Sequence, residues 1–211
     1  LADEQNEFGG SLLGSREHLD ARPALEWVHD VVTDLCSHKD VLLLPRATVT
    51  GYHDHNFLTV HERLTDHIAD CAPAGQVRQR LHRVRARQVI LATGAHERPL
   101  VYANNDVPGC MLCSAVSTYI NRYAVAPGNE LVVMTCNDSG YQAAIDWHDA
   151  GRKVVAVVDT RAEVEGDLLE AVRERGISVL FGSVITNVMG SRRVKGVEVS
   201  TPGADGRVVA G

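Results

Sequence analysis

Residues 131–181 read LVVMTCNDSGYQAAIDWHDAGRKVVAVVDTRAEVEGDLLEAVRERGISVLF, and this stretch decides the fold. Leu131 to Thr135 is a short apolar run that predicts a strand. Ser139 to Ala150 follows as a helix, Val154 to Val158 as a second strand, and Val164 to Arg175 as a second helix closed by Gly176. Ile177 to Phe181 predicts a third strand. Strands that alternate with helices in this order form a parallel sheet with right-handed crossovers. Val184 to Val188 and Val194 to Ser200 then read as antiparallel strands around the turn Gly190-Ser191-Arg192-Arg193.

Working back toward the start, the pattern changes. Ala24 to Ser37 predicts an amphipathic helix, with Leu25, Val28, Val31, Val32 and Leu35 at helical spacing and Pro23 suited to its first turn. Asp40 and Pro45 bracket the run VLLL at 41–44, read as a short buried strand. Ala47 to Tyr52 and Phe57 to Arg63 predict two strands around His53-Asp54-His55-Asn56, and DCAPAGQ at 70–76 predicts a loop. His82 to Ile90 alternates like a strand and runs on into Leu91-Ala92-Thr93-Gly94. NNDVPG at 104–109 reads as a turn-rich connection, and Met111 to Tyr123 as a helix.

Composition sets the limits. The 211 residues suffice for one large or two small cores, and a net charge of -6 with 45% apolar residues is ordinary for a globular protein. No polybasic tract suggests nucleic acid or a membrane surface. No apolar run approaches the roughly 20 residues that span a bilayer, and no signal peptide is visible. Leu1 in place of Met reads as a processed or cut end. Five cysteines are an odd count in a chain that is neither small nor disulfide-dense, which points to a reduced, cytoplasmic setting.

Three short motifs carry chemistry. Asp3-Glu4-Gln5 has the character of the acidic end of a second strand in a dinucleotide fold, where carboxylates accept hydrogen bonds from ribose hydroxyls. Phe8-Gly9-Gly10-Ser11-Leu12 follows, and its glycine pair lets backbone approach a bulky ligand. Leu91-Ala92-Thr93-Gly94-Ala95 resembles the ATG strand end of flavin and pyridine-nucleotide oxidoreductases, where small residues pass beside the cofactor. The order acidic strand end, helix, three-stranded excursion, ATG and second dinucleotide unit matches that two-domain class over residues 1–211.

The residues after ATG narrow the resemblance. AHERPL at 95–100, ANNDVPG at 103–109, Met111-Leu112, Ser114-Ala115-Val116 and YINRYAVAPG at 119–128 resemble the alpha-subunit family of heterotetrameric sarcosine oxidases. The resemblance implies a complex that oxidatively demethylates sarcosine to glycine, passes electrons through flavins to oxygen to make peroxide, and hands the one-carbon unit to tetrahydrofolate. It implies beta, gamma and delta partner subunits, with FAD and FMN chemistry mainly on the beta subunit and NAD bound by alpha. Carried onto this sequence, Asp3, Glu4 and Gln5 meet the adenosine ribose, Ser11 lies near the cofactor, Val49 meets the adenine through its backbone, and Thr93 and Gly94 flank the pyrophosphate. No catalytic residue and no metal ligand is assigned to the chain.

The expected fold class is therefore α/β, with parts of two dinucleotide-binding domains. Residues 1–100 form a partial first domain without its GxGxxG loop. Residues 101–127 connect, and 128–211 form a second, Rossmann-like βαβαβ unit with added antiparallel strands. In that unit the glycine fingerprint is eroded. With Gly140 as its last glycine, Thr135 and Asn137 stand at the first two, and Asp138 adds negative charge where a phosphate would sit. The unit is expected to keep the fold and to have lost the nucleotide. Asp159 ends the next strand as a ribose ligand would, and equally as an ordinary polar strand end. Cys110-Met111-Leu112-Cys113 raises the alternative of an FAD-dependent thiol oxidoreductase, although packing cysteines are the simpler reading. A nucleotide-free scaffolding module is the other alternative. The scattered histidines show no metal spacing. The basic run Arg78, Arg80, His82, Arg83, Arg85, Arg87 reads as a solvated strand face, with a subunit contact as the sharper alternative.

Overall fold

The computed structural model describes residues 1–68, 75–203 and 205–208. The loop expected at 70–76 falls mostly outside them. The chain divides into two compact units, the first comprising Leu1–Leu12 and Arg16–Gly94, the second Leu13–Ser15 and Ala95–Gly211.

The first unit contains β1 (His18–Leu19), β2 (Arg22–Pro23), α1 (Ala24–Ser37), β3 (Ala47–His53), β4 (Phe57–Arg63) and β5 (Gln79–Arg85). β3, β4 and β5 form an antiparallel sheet with β4 central. β4 alternates as its sequence predicts: Leu58, Val60 and Glu62 are buried, while Phe57, Thr59 and His61 are half-buried. Val60 packs with Leu44, Ala47 and Ala2 in a small core. The turn at Asp54–Asn56 places His55 and Asn56 at positive φ. Asn56 is held there, because Tyr52 Oη donates to its Oδ1 at 2.8 Å and its Nδ2 donates to Arg87 O at 3.1 Å.

Three expectations need correction in this unit. α1 has its predicted bounds, but Leu25 does not face inward. It is 46% exposed beside an equally open Trp27. The run VLLL is not a buried strand. Only Leu44 is buried, through a single parallel bridge to Ala2, and Leu42 is 63% exposed. The apolar run into ATG is not a strand either. β5 stops at Arg85, residues 88–102 have no regular structure, and Ile90 is 90% exposed. The physical reason is shared. A doubly apolar strand is stable only between neighbours that cover it, and among the described residues no strand pairs with this one.

The second unit contains α2 (Cys113–Asn121), β6 (Glu130–Thr135), α3 (Ser139–Asp149), β7 (Lys153–Asp159), α4 (Asp167–Glu174), β8 (Val179–Leu180), β9 (Val184–Gly190) and β10 (Val194–Ser200). β6, β7 and β8 are parallel, in that order, and β9 and β10 form the expected antiparallel pair. α4 begins later than its periodicity suggests because Gly166 precedes it at φ 133. Val133, Tyr141, Ala144, Ile145, Val157, Leu169, Val172 and Ile177 form one core. α3 lies tightly on β6. A Cβ on Gly140 would stand 2.5 Å from Thr135 Cβ, so only glycine permits the approach. α2 packs on α3 through Val116, Ile120 and Trp147, and Trp147 Nε1 donates to Lys153 O at 3.0 Å.

Candidate functional site

The acidic start of the chain is shaped by a partner segment. Residues 1–5 run beside 42–47: Asp3 N donates to Leu44 O at 3.0 Å, Arg46 N to Gln5 O at 2.7 Å, and Ala47 N to Asp3 O at 2.8 Å. This pairing sets Arg46 beside Glu4 and Gln5. Arg63, at the end of β4, donates from Nη2 to Glu4 O at 3.1 Å. Glu4, Gln5, Asn6, Arg46, Arg63, Asp66 and His67 together line an open cleft of about 440 Å³. Asp3 is half-buried at its edge of the segment, and its Oδ1 accepts from Gln5 N at 2.9 Å. The Gln79 amide and then the Arg78 guanidinium hold the Asp66 carboxyl below its usual value. The cleft thus offers a carboxylate and amides suited to ribose hydroxyls, next to two guanidiniums suited to an anion.

The other predicted residues are not gathered here. Ser11 is exposed in a short 3-10 turn at Gly10–Gly14. Val49 lies on β3 opposite Val60 and is 45% exposed. Thr93 and Gly94 are exposed in the irregular segment, with Gly94 at φ 68. None of these four lines the cleft. Arg46 and Arg63, in contrast, were not visible as site residues from sequence. Their place depends on residues 42–47 running beside 1–5, which no local pattern announces.

The mouth of the second unit's sheet is differently built. Asp159 has a wholly buried carboxylate that accepts from Tyr141 Oη at 2.7 Å and from Arg161 Nη2 at 2.8 Å. Arg161 also reaches Asp138 Oδ1 at 2.9 Å. Burial pushes the Asp159 carboxyl up, but the Arg161 and Tyr141 hydrogen bonds outweigh it and hold the group below its usual value. Burial and the facing carboxylate push the Tyr141 phenol well up.

Cys110 and Cys113 line neither the cleft nor the Asp159 cluster. Glu97 caps α2, accepting from Cys113 N at 3.0 Å and Ser114 N at 2.7 Å. Burial, together with this carboxylate, pushes the Cys113 thiol up to about 12. A reactive thiol needs electropositive surroundings, and Cys113 has the opposite. The basic strand is partly paired: Arg78 meets Asp66, while Arg80 and His82 meet the buried Glu62. Arg83, Arg85 and Arg87 are exposed. Among the described residues no group of three His, Cys, Asp or Glu could hold a metal ion, and no helix is long and apolar enough to cross a membrane.

Comparison with known proteins places this architecture in a class. The chain matches the thioredoxin reductase of T. acidophilum with a TM-score of 0.66 at 13% identity, over 95% of this chain and 61% of that one. It matches the L-proline dehydrogenase of P. horikoshii with a TM-score of 0.57 at 17% identity, over 98% and 34%. At such identities the likeness is one of fold: an α/β fold shared with FAD/NAD-dependent oxidoreductases that carry dinucleotide-binding domains.

Sequence comparison is more specific. Sarcosine oxidase subunit alpha of Corynebacterium sp. (strain P-1) is 43% identical over 188 residues, 89% of this chain and 19% of that protein. The subunit of the same name from Rhizobium meliloti (strain 1021) is 37% identical over 199 residues, 94% and 20%. Sarcosine oxidase alpha subunits are thus homologues of this chain, which spans about a fifth of their length. No family model matches.

Proposed function

We propose that this chain is part of an oxidoreductase subunit of the sarcosine oxidase alpha kind, and that its first unit holds the adenosine end of NAD. The observation that carries this reading is the cleft at Glu4, Gln5 and Asn6 with Arg46 and Arg63, set in a chain 43% identical to such a subunit. Its size suits a nucleoside, since small-molecule sites run from about 300 Å³ upward. Glu4 accepts from ribose hydroxyls and Gln5 orients them. Arg46 and Arg63 supply positive charge toward the phosphate side. Ser11, Val49, Thr93 and Gly94 belong to the same cofactor surface in this reading, with residues 1–100 a partial dinucleotide-binding domain, 101–127 a connection and 128–211 a second unit.

NAD, when bound, supplies a dinucleotide anchor within the subunit. The chain contributes binding and assembly, while FAD and FMN chemistry belongs mainly to a beta subunit. The complete complex, with beta, gamma and delta subunits in the cytoplasm, demethylates sarcosine oxidatively with tetrahydrofolate as one-carbon acceptor. The surroundings of Cys113 speak against the thiol oxidoreductase alternative.

Calorimetric titration of the intact protein with NAD tests the reading. Saturable binding is expected, weakened about tenfold or more in Glu4→Ala by loss of a charged hydrogen bond. Absence of heat in the intact, folded protein removes the NAD assignment.

A further inference from the structure

In a fold of this class a dinucleotide meets the carboxyl ends of the parallel strands. Its pyrophosphate sits at the helix after the first strand, and its ribose at the acidic end of the second. In the second unit those places are the loop from β6 into α3 and the end of β7 at Asp159. The chain's own groups already satisfy both.

Asp159 is wholly buried. Its Oδ1 accepts from Arg161 N at 2.8 Å and Arg161 Nε at 3.1 Å, and its Oδ2 from Tyr141 Oη at 2.7 Å and Arg161 Nη2 at 2.8 Å. A carboxylate offers about four acceptor positions, and these donors fill them. A ribose diol arriving here would find no acceptor left. On the other side, Asn137 Oδ1 accepts from Ser139 N at 3.0 Å and Ser139 Oγ at 2.6 Å, so the side chain closes the start of α3. Thr135 Oγ1 donates to Asn137 O at 2.7 Å and fixes that loop. Between the two places lies the Arg161 guanidinium, whose Nη1 meets Asp138 Oδ1 at 2.9 Å.

We propose that Arg161 is a built-in occupant of the second unit's nucleotide crevice. By bridging Asp138 before α3 to Asp159 at the end of β7, it converts a cofactor site into a closed clasp. The arrangement explains why an acidic strand end can persist without a nucleotide to recognise: Asp159 now recognises Arg161. It also explains the residue in place of the second fingerprint glycine, since Asn137 caps a helix that no phosphate caps. This inference rests on the geometry of the second unit alone and stands whether or not the first unit binds NAD.

Amide hydrogen exchange on the intact protein, read over residues 135–161, tests it at the right place. Saturating NADH or NADPH is expected to leave exchange in this segment unchanged in the wild type. Arg161→Ala is expected to speed exchange there by at least about tenfold, because a buried carboxylate loses its principal partner. Arg161→Lys, which keeps the charge but lacks the fork, is expected to fall between the two. Protection of wild-type residues 135–161 by either nucleotide overturns the proposal. So does an Arg161→Ala or Arg161→Lys protein whose exchange matches wild type. The readout is independent of activity and of nucleotide bound in the first unit.

Discussion

The two units treat their acidic segments in opposite ways. In the first, Glu4 and Gln5 border an open cleft with two arginines, and the unit's core is small: Leu44, Ala47 and Val60 with Ala2. Other apolar residues of this unit stay bare, among them Leu42 at 63% and Leu91 at 68% exposed. In the second, Asp159 is fully buried and internally paired above a core of eight residues that runs from Val133 to Ile177. A carboxylate therefore borders open space in one unit and serves as an internal anchor in the other. What differs is whether a cation within the chain can reach it. Arg161 is two residues from Asp159 and folds back onto it, whereas Arg63 reaches only the backbone of Glu4.

The contrast can be tested by substitution. Leu169→Ala, in the middle of the second core, is expected to cost about 2–5 kcal/mol in chemical denaturation, the usual range for truncating a buried leucine. A cost near zero would show that this core is not what holds the unit. Next in size is Glu97→Ala. It removes the cap of α2 and is expected to cost about 1–2 kcal/mol. Because the carboxylate also raises the Cys113 thiol, the variant's thiol should ionise at lower pH than about 12, with faster alkylation at alkaline pH. An unchanged alkylation profile would show that burial alone sets that thiol.

A smaller effect is expected at the pair between Arg175 and Asp149, where the guanidinium donates at 2.8 and 2.9 Å. Arg175, helped by His148 and opposed by burial, brings the Asp149 carboxyl to about 2. A carboxyl depressed in the folded state stabilises above its unfolded value of 3.8 and loses that contribution as pH falls toward 2. Both partners are partly exposed, so Arg175→Ala should cost no more than about 1 kcal/mol at neutral pH after solvent screening. The difference from wild type should shrink in denaturation curves taken progressively below pH 4. A constant difference across that range would exclude the ion pair as its cause. The smallest change is expected from Leu91→Ala in the first unit. An exposed leucine makes few contacts to lose, so stability should stay within about 0.5 kcal/mol. A loss as large as that of Leu169→Ala would show Leu91 to be covered in the intact protein.

Much of this was legible in the sequence. The three strands of the parallel sheet, the β3–β4 and β9–β10 pairs and the bounds of α1 follow from periodicity and turn residues, which act within a few positions of each other. The readings that failed share one cause. VLLL at 41–44 and the run into ATG have strand composition, but a strand also needs neighbours, and composition says nothing about whether they come. Leu25 was misassigned for the same reason: a helical stripe identifies a face, and packing decides how wide the buried part is. The candidate site was half legible. Asp3-Glu4-Gln5 announced itself, but Arg46 and Arg63 did not.

By itself, then, the sequence determined the α/β class, the order of elements, the eroded glycine fingerprint and the likeness to an oxidoreductase subunit. These are matters of local chemistry and short spacing. Only the tertiary structure decided which acids are open and which are closed. Glu97 caps a helix 16 residues further on, Tyr141 reaches Asp159 from 18 residues away, and Arg63 reaches Glu4 across 59. A carboxylate's role depends on the donors around it in space, and backbone folding alone brings those donors there.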